Sequence, residues 1–419
     1  MKTKLVALFA ITLTVTVSQV GANELARRSS HDWPMFRGPA GRSVGQAQEL
    51  PTDWSIEDGE NVAWQVDLPG RGVSGPIVVG GKVIITASSG PTRDRLHVLA
   101  YDSQSGEKLW HRQFWATGKS LCHATSANAA PTPASDGERI FAFYSSNDLI
   151  SLDLDGNLLW MRGLELDYPG AGNALGMSSS PVVVGDVVVV QSEAQGNSFV
   201  AALDRQTGKT RWDVERPKAS NWCSPIAVDA EYTIDKQPAV VLQSGEGIRL
   251  HRADNGEVLL KIDTACETIP SLTFNEYLYA PSNGIQVFDI MSAGLEDKDQ
   301  PVWQESKLQP GSPSPVVVDS QVFVINRGGV LSCGSMTEKE VMWKLRLGGR
   351  FWATPVSVGN YLYCINADGK CFVVERGQAG EKGRIVAENE FGEDVLSSPA
   401  VADNGLFVRS HAHLWRIAK

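Results

Sequence analysis

Residues 98–110 read VLAYDSQSGEKLW, and residues 202–212 repeat the same order as ALDRQTGKTRW. Ala100, Asp102, Gly106 and Trp110 in the first stretch return as Ala202, Asp204, Gly208 and Trp212 in the second. Each copy reads as strand, tight turn, strand. Glycine serves where the backbone needs a positive φ, and an aspartate carboxylate accepts from turn amides. The closing tryptophan offers a large apolar plate with one N–H, suited to packing between sheets. Weaker copies follow. SLDLDGNLLW ends at Trp160, HRADNGEVLL places Leu260 at the tryptophan position, and Trp303 and Trp343 close two more units.

A second marker runs in phase with the first: Ser or Thr before Pro, opening a β-branched run. It occurs at Thr132-Pro133, Ser180-Pro181, Ser224-Pro225, Ser314-Pro315, Thr354-Pro355 and Ser398-Pro399, with relaxed versions at Ser74-Gly75-Pro76 and Ile269-Pro270. Successive prolines of this series lie 40 to 57 residues apart. A period in the forties built from short strands is the signature of propeller blades.

With these motifs in view, the chain over residues 61–419 resembles the pyrroloquinoline-quinone-type propeller repeat, whose mark is Ala-x-Asp-x-x-x-Gly-x-x-x-Trp. That repeat is found in quinoprotein alcohol dehydrogenases and in the propeller lipoprotein of the outer-membrane barrel assembly machinery. The resemblance implies an all-β, eight-bladed propeller of four-stranded antiparallel blades. It is specific for fold and not for function, because one fold hosts many sites.

The ends of the chain bear on ring closure. Residues 61–68, NVAWQVDL, read as the last strand of a blade whose other strands do not precede it, while the repeat opened by Pro399 supplies three strands only. A strand from the N-terminal side completing the last blade leaves no unpaired edge. Residues 23–60, which include HDWPMFRGPAGRSV, are expected to form an arm packed on one face of the ring. Residues 1–22 read as a signal peptide: Lys2 and Lys4, an apolar run, then Val20-Gly21-Ala22. A periplasmic or secreted protein is expected, with no membrane span after cleavage and no lipid-attachment cysteine near the start.

Composition excludes some classes. The formal charge of the 419 residues is −10, and removing residues 1–22 takes away only basic groups. A nucleic-acid partner would require a basic face. The metalloprotease pattern H-E-x-x-H and the phosphate-loop pattern are missing. The six cysteines include Cys364 and Cys371, which flank the turn 366–369. A disulfide between them and two free buried thiols are both compatible with that placement. His97, His251, His411 and His413 are expected within strands, as hydrogen-bonded sheet histidines.

In a propeller the connector into each innermost strand opens on the central channel. Those connectors present Arg71, His123, Asn128, Asn173, Met177, Asn221, Trp222, Cys223, Glu267, Arg350, Trp352, Glu393 and Asp394. Arg71, His123, Asn173, Asn221, Trp222, Glu267, Arg350 and Trp352 are the candidate ligand residues, able to offer bidentate hydrogen bonds and stacking surfaces. Cys122, His123, Cys223, Cys266 and Glu267 lack metal-ligand spacing, so no metal site is expected.

The expected function is an extracytoplasmic binding or scaffold module, monomeric, for an envelope protein or a small ligand, with no cofactor. The alternative implied by the resemblance is a dehydrogenase of alcohols or sugars using pyrroloquinoline quinone (PQQ) with calcium. In that case Glu267 with Asn173 or Asn221 would converge on the axis. A glycan binder would instead expose the faces of Trp222 and Trp352.

Overall fold

A computed structural model describes residues 32–46, 50–172, 175–233, 235–291, 299–377 and 381–419. The proposed signal peptide, the start of the arm and Asn173 lie outside the described residues.

Eight sheets follow one another along the chain, each with four antiparallel strands. Blade 1 is built from Ile77–Val79, Lys82–Ser89, Arg95–Asp102 and Lys108–Trp115. The innermost strands of blades 2 to 7 are Ala134–Ser135, Val182–Val184, Ile226–Val228, Thr273–Asn275, Val316–Val318 and Val356–Val358. Blade 8 takes Ala400–Ala402, Gly405–Arg409 and His413–Ile417 from the end of the chain, and its outermost strand, Val62–Asp67, from the beginning. The antiparallel register Val66↔Leu414 closes the ring.

The hydrophobic core is divided among the blade interfaces. One cluster joins blades 1 and 2, another blades 2 and 3, and so on round to the large cluster that joins blades 7, 8 and 1. Middle strands are therefore buried on both faces and read as continuous apolar runs, as in Val187–Ser192. The outermost strand of each blade meets solvent and alternates, as in Lys108–Trp115.

The tryptophan of one blade docks on the turn of the next. Trp110 donates its indole N–H to Leu154 O at 2.9 Å, Trp160 to Arg205 O at 3.2 Å, Trp212 to Ala253 O at 2.8 Å and Trp64 to Ser103 O at 3.2 Å. The receiving turns carry Gly156, Gly208, Gly256 and Gly106, each with positive φ and each beneath an indole plate. Asp102 and Asp204 accept turn amides: Ser105 N on Asp102 and Thr207 N on Asp204, both at 2.8 Å. Ala100 and Ala202, both buried, pair across the sheet with the docking tryptophans Trp110 and Trp212. Trp303 and Trp343 are buried plates as well, but their indole N–H groups find no acceptor among the described residues.

The arm crosses the face opposite the connectors and touches every blade. Trp33 bridges Val78 of blade 1, Pro34 O accepts from Ser135 N of blade 2, and Met35 packs against the apolar cluster between blades 3 and 4 that includes Val182 and Val184. Gly41 lies over Ile226 of blade 4. Arg37 is fully buried and donates to Leu272 O at 2.8 Å and Pro315 O at 3.0 Å, tying blades 5 and 6. Val44–Gly45 adds a short parallel strand to blade 7, and Gly45 meets Val401 of blade 8.

Two expectations need correction, and the open alternative at the cysteines is decided. In blade 5 the register residue is Ser271, one position after Pro270, so Ile269-Pro270 is not the equivalent of the other markers: Ser271 Oγ, not a group on Ile269, accepts from Ser224 N. The proline marked the phase, whereas the fold uses the hydroxyl. All six cysteines are free. Cys364 pairs with Phe372 and Cys371 with Ile365, so the two thiols point to opposite faces of the sheet and cannot bridge. His411 sits in the hairpin bend before His413–Ile417 and not within a strand.

Candidate functional site

A belt of hydroxyls circles the channel. Gly75 N donates to Thr132 Oγ1 at 2.8 Å, Thr132 N to Ser180 Oγ at 3.0 Å, Ser180 N to Ser224 Oγ at 2.9 Å and Ser224 N to Ser271 Oγ at 2.9 Å. Ser271 N donates to Ser314 Oγ at 3.0 Å, Ser314 N to Thr354 Oγ1 at 3.1 Å and Thr354 N to Ser398 Oγ at 2.9 Å. Each link joins one blade to the next.

The belt has one gap, between blades 8 and 1, where Gly75 has no hydroxyl to offer. A Cβ on Gly75 would lie 2.8 Å from Ser398 O, so no side chain fits there. Arg409 of blade 8 spans this seam instead, donating to Ser74 Oγ at 3.1 Å and Thr86 O at 2.9 Å of blade 1.

The belt lines a cavity of about 380 Å³ together with Val73, Met177, Leu396 and the arm's Phe36. Phe36 comes from the opposite face and forms its floor. His123, Leu175, Trp222, Ile269 and Trp352 stand at the mouth. Trp222 is held by its indole N–H on Gly176 O at 2.8 Å, while Trp352 is 47% exposed.

The candidate residues separate into two groups. His123, Trp222 and Trp352 line the cavity, with His123 Nδ1 against Thr125 Oγ1 at 2.8 Å. Arg71, Asn221, Glu267 and Arg350 do not line it. Arg71 donates to Ala124 O at 3.0 Å and meets His411 Nε2 at 3.1 Å. Burial, with the Arg71 and Arg409 charges, lowers the His411 imidazole to about 4. Arg350 is exposed, and its carbonyl accepts from Ala367 N. Glu267 accepts from Gln309 Nε2 at 3.2 Å and lies 3.8 Å from Arg327.

Asn221 is buried inside the blade. It donates to Glu193 Oε2 at 3.0 Å and Gln243 O at 2.7 Å, and Arg216 pairs with the same carboxylate at 2.6 Å. Burial raises the Glu193 carboxyl even against the Arg216 charge. Asn128 is likewise buried, capping Ser146 N at 2.9 Å. The Cys223 thiol is buried near Pro270 O, and its titration is pushed well up by that burial. Glu393 takes Ser410 Oγ–H at 2.5 Å and also pairs with His413.

These positions bear on a calcium-bound quinone. Such a group needs carboxylate and amide oxygens converging on one point. Asn221 is committed to Glu193 and the backbone, and Glu267 is engaged outside the cavity, so the two do not converge. Among the described residues no three His, Cys, Asp or Glu side chains gather to hold a metal. The described residues do not fit that group. Sequence reasoning missed Phe36, Leu175 and Leu396, and it read the hydroxyls as phase marks only. Their recurrence before a strand in seven of the eight blades was the available signal.

Blades docked tryptophan on glycine around a central channel define an eight-bladed propeller of the pyrroloquinoline-quinone repeat class. A family model described as outer membrane protein assembly factor BamB matches residues 43–174, 116–268 and 291–379. The matched segments cover most of the chain, and the protein belongs to that family. Among solved structures it is similar to BamB from Moraxella catarrhalis, at 17% identity and a TM-score of 0.63, covering 85% of this chain and 97% of that one. It is also similar to a europium-containing methanol dehydrogenase, at 13% identity and a TM-score of 0.69, over 95% of this chain and 100% of that one. A third is the quinohemoprotein alcohol dehydrogenase from Comamonas testosteroni, at 12% identity and a TM-score of 0.68, over 95% and 82%. At these identities the likeness shows the fold alone. No curated protein matches the chain.

Proposed function

We propose that the protein is an extracytoplasmic scaffold whose connector face docks another protein of the cell envelope. One observation carries this reading: five of the eleven large apolar side chains exposed among the described residues stand on that face. Leu121, Leu166, Leu175, Ile269 and Trp352 all project from connectors, Leu166 being 77% exposed and Trp352 47%. Clustered apolar exposure of this kind marks interaction surfaces. Membership in a family described by outer-membrane assembly supports the same reading, as does the basic-then-apolar leader at residues 1–22. Among the described residues no helix is long and apolar enough to cross a membrane. In this reading the protein acts as a monomer beside its partner.

The test is site-specific photo-crosslinking in intact cells. A photoreactive side chain at Leu166 or Trp352 is expected to trap one envelope protein. The same probe at Leu159, exposed on the outer strand of blade 2, is expected to trap none. Equal capture at all three positions would sink the proposal. So would calcium-dependent binding of pyrroloquinoline quinone in a calorimetric titration, which would install the dehydrogenase reading.

A further inference from the structure

The hydroxyl belt does more than join the blades. A serine or threonine hydroxyl has one proton to give and two lone pairs to receive with. Every hydroxyl of the belt spends one lone pair on the amide of the preceding blade. Ser271 also reaches the thiol of Cys223. The other six (Thr132, Ser180, Ser224, Ser314, Thr354 and Ser398) donate to no acceptor among the described residues, and all six line the cavity. Each retains an O–H and a lone pair, and the ring holds them at fixed spacing.

The rest of the lining narrows the ligand. Among the described residues no Asp, Glu, Lys or Arg side chain lines the cavity, and His123 at the mouth is the one titratable group. An anion held there would lack the cationic partner that anion recognition uses, and a cation would lack a carboxylate. The ligand is therefore neutral and both gives and takes hydrogen bonds. Above the belt, Trp222 and the half-exposed Trp352 supply flat apolar faces at the mouth, with Met177 and Leu396 beside them. A volume of about 380 Å³ lies within the roughly 300–1,000 Å³ typical of small-molecule sites.

We propose that the channel binds the end of a neutral saccharide, its hydroxyls on the serine–threonine belt and its C–H face against Trp222 and Trp352. A pyranose presents a ring of amphoteric hydroxyls along its edge and an apolar C–H face, the same pairing of surfaces that the chamber offers. Leu175, Ile269 and Trp352 are common to this cavity and to the docking face, but sugar binding is read on the purified protein and docking in cells, so either can fail alone.

Saturation-transfer NMR on the purified protein with cellobiose and maltose tests it, with trialanine and acetate as competitors of different chemistry. Transfer is expected to at least one sugar. Trp352→Ala is expected to weaken its binding about fivefold or more, on the order of one lost favourable contact. Ser398→Ala is expected to weaken it to a similar degree, on the order of one hydrogen bond. Trp352 is half exposed, so its variant tests the site even if the serine variant disturbs the ring. Transfer to neither sugar would overturn the proposal, as would sugar binding indifferent to Trp352→Ala. Transfer to trialanine alone would assign the channel to an extended peptide and overturn it equally.

Discussion

Gly208 shows how much of the propeller is specified by single side chains. Its φ is +68°, and an added Cβ would lie 2.7 Å from Cδ2 of Trp160 in the preceding blade. Gly59 has a similar φ, +72°, with nothing within 4 Å of such a Cβ. Gly59→Ala is expected to cost only the left-handed backbone penalty, about 1–2 kcal/mol. Gly208→Ala adds the displacement of an indole from its dock and is expected to cost roughly 1–3 kcal/mol more, within the range of core overpacking. Urea titration of both variants measures the difference, and equal losses would mean that the tryptophan plate carries no weight there. This residue-level logic was legible from the sequence, because docking requires particular identities at fixed short spacing: Asp102 with Gly106, Asp204 with Gly208. Asn221 was not legible. It sits in a connector, as expected, but its side chain turns inward to Glu193, whose position relative to it is set by the sheet and not by any motif.

The arm is an element whose presence could be anticipated but whose role could not. Trp33, Met35 and Phe36 announce a segment that needs covering, yet Phe36 as the floor of the channel depends on residues from blades all round the ring, and Arg37 as a tie between two blades depends on partners more than two hundred residues away. Among the described residues Arg37 has no carboxylate beside it; burial lowers its guanidinium to about 9. Its fork reaches two backbone carbonyls and Thr273 Oγ1. Arg37→Lys keeps the charge and loses the fork. Leaving buried carbonyls unmet costs about 1–3 kcal/mol, so a lower melting temperature is expected, read by thermal denaturation. An unchanged melting temperature would show that the arm is draped on the ring and does not fasten it.

Across the whole molecule, acid is expected to loosen the ring through its histidines. Burial lowers His97 and His411 to about 4, from an ordinary value near 6.5. In the unfolded chain both imidazoles bind a proton as pH falls below 6.5, while in the fold they stay neutral until near 4. Stability from this source is complete above pH 6.5 and is lost as pH falls toward 4. The double variant His97→Gln, His411→Gln should therefore gain on the wild type through that window, measured as urea midpoints from pH 7.5 to 4. Parallel curves would remove the histidines from the account. Blade number, ring closure and strand order were readable from the period, because each blade repeats one local design. The separation of inward-facing from merely nearby connector residues was not, since it depends on how eight blades tilt together. Closure also sets a timetable. Val62–Asp67 pairs with His413–Ile417, so the earlier segment must wait, with its edge open, until the far later one is made. Until then the nascent chain carries an unmatched strand and an unhoused arm, the state in which long-range β pairing is slow and prone to wrong partners. Delivery of the finished chain, more than the strength of any blade, then governs how much of it reaches the closed form.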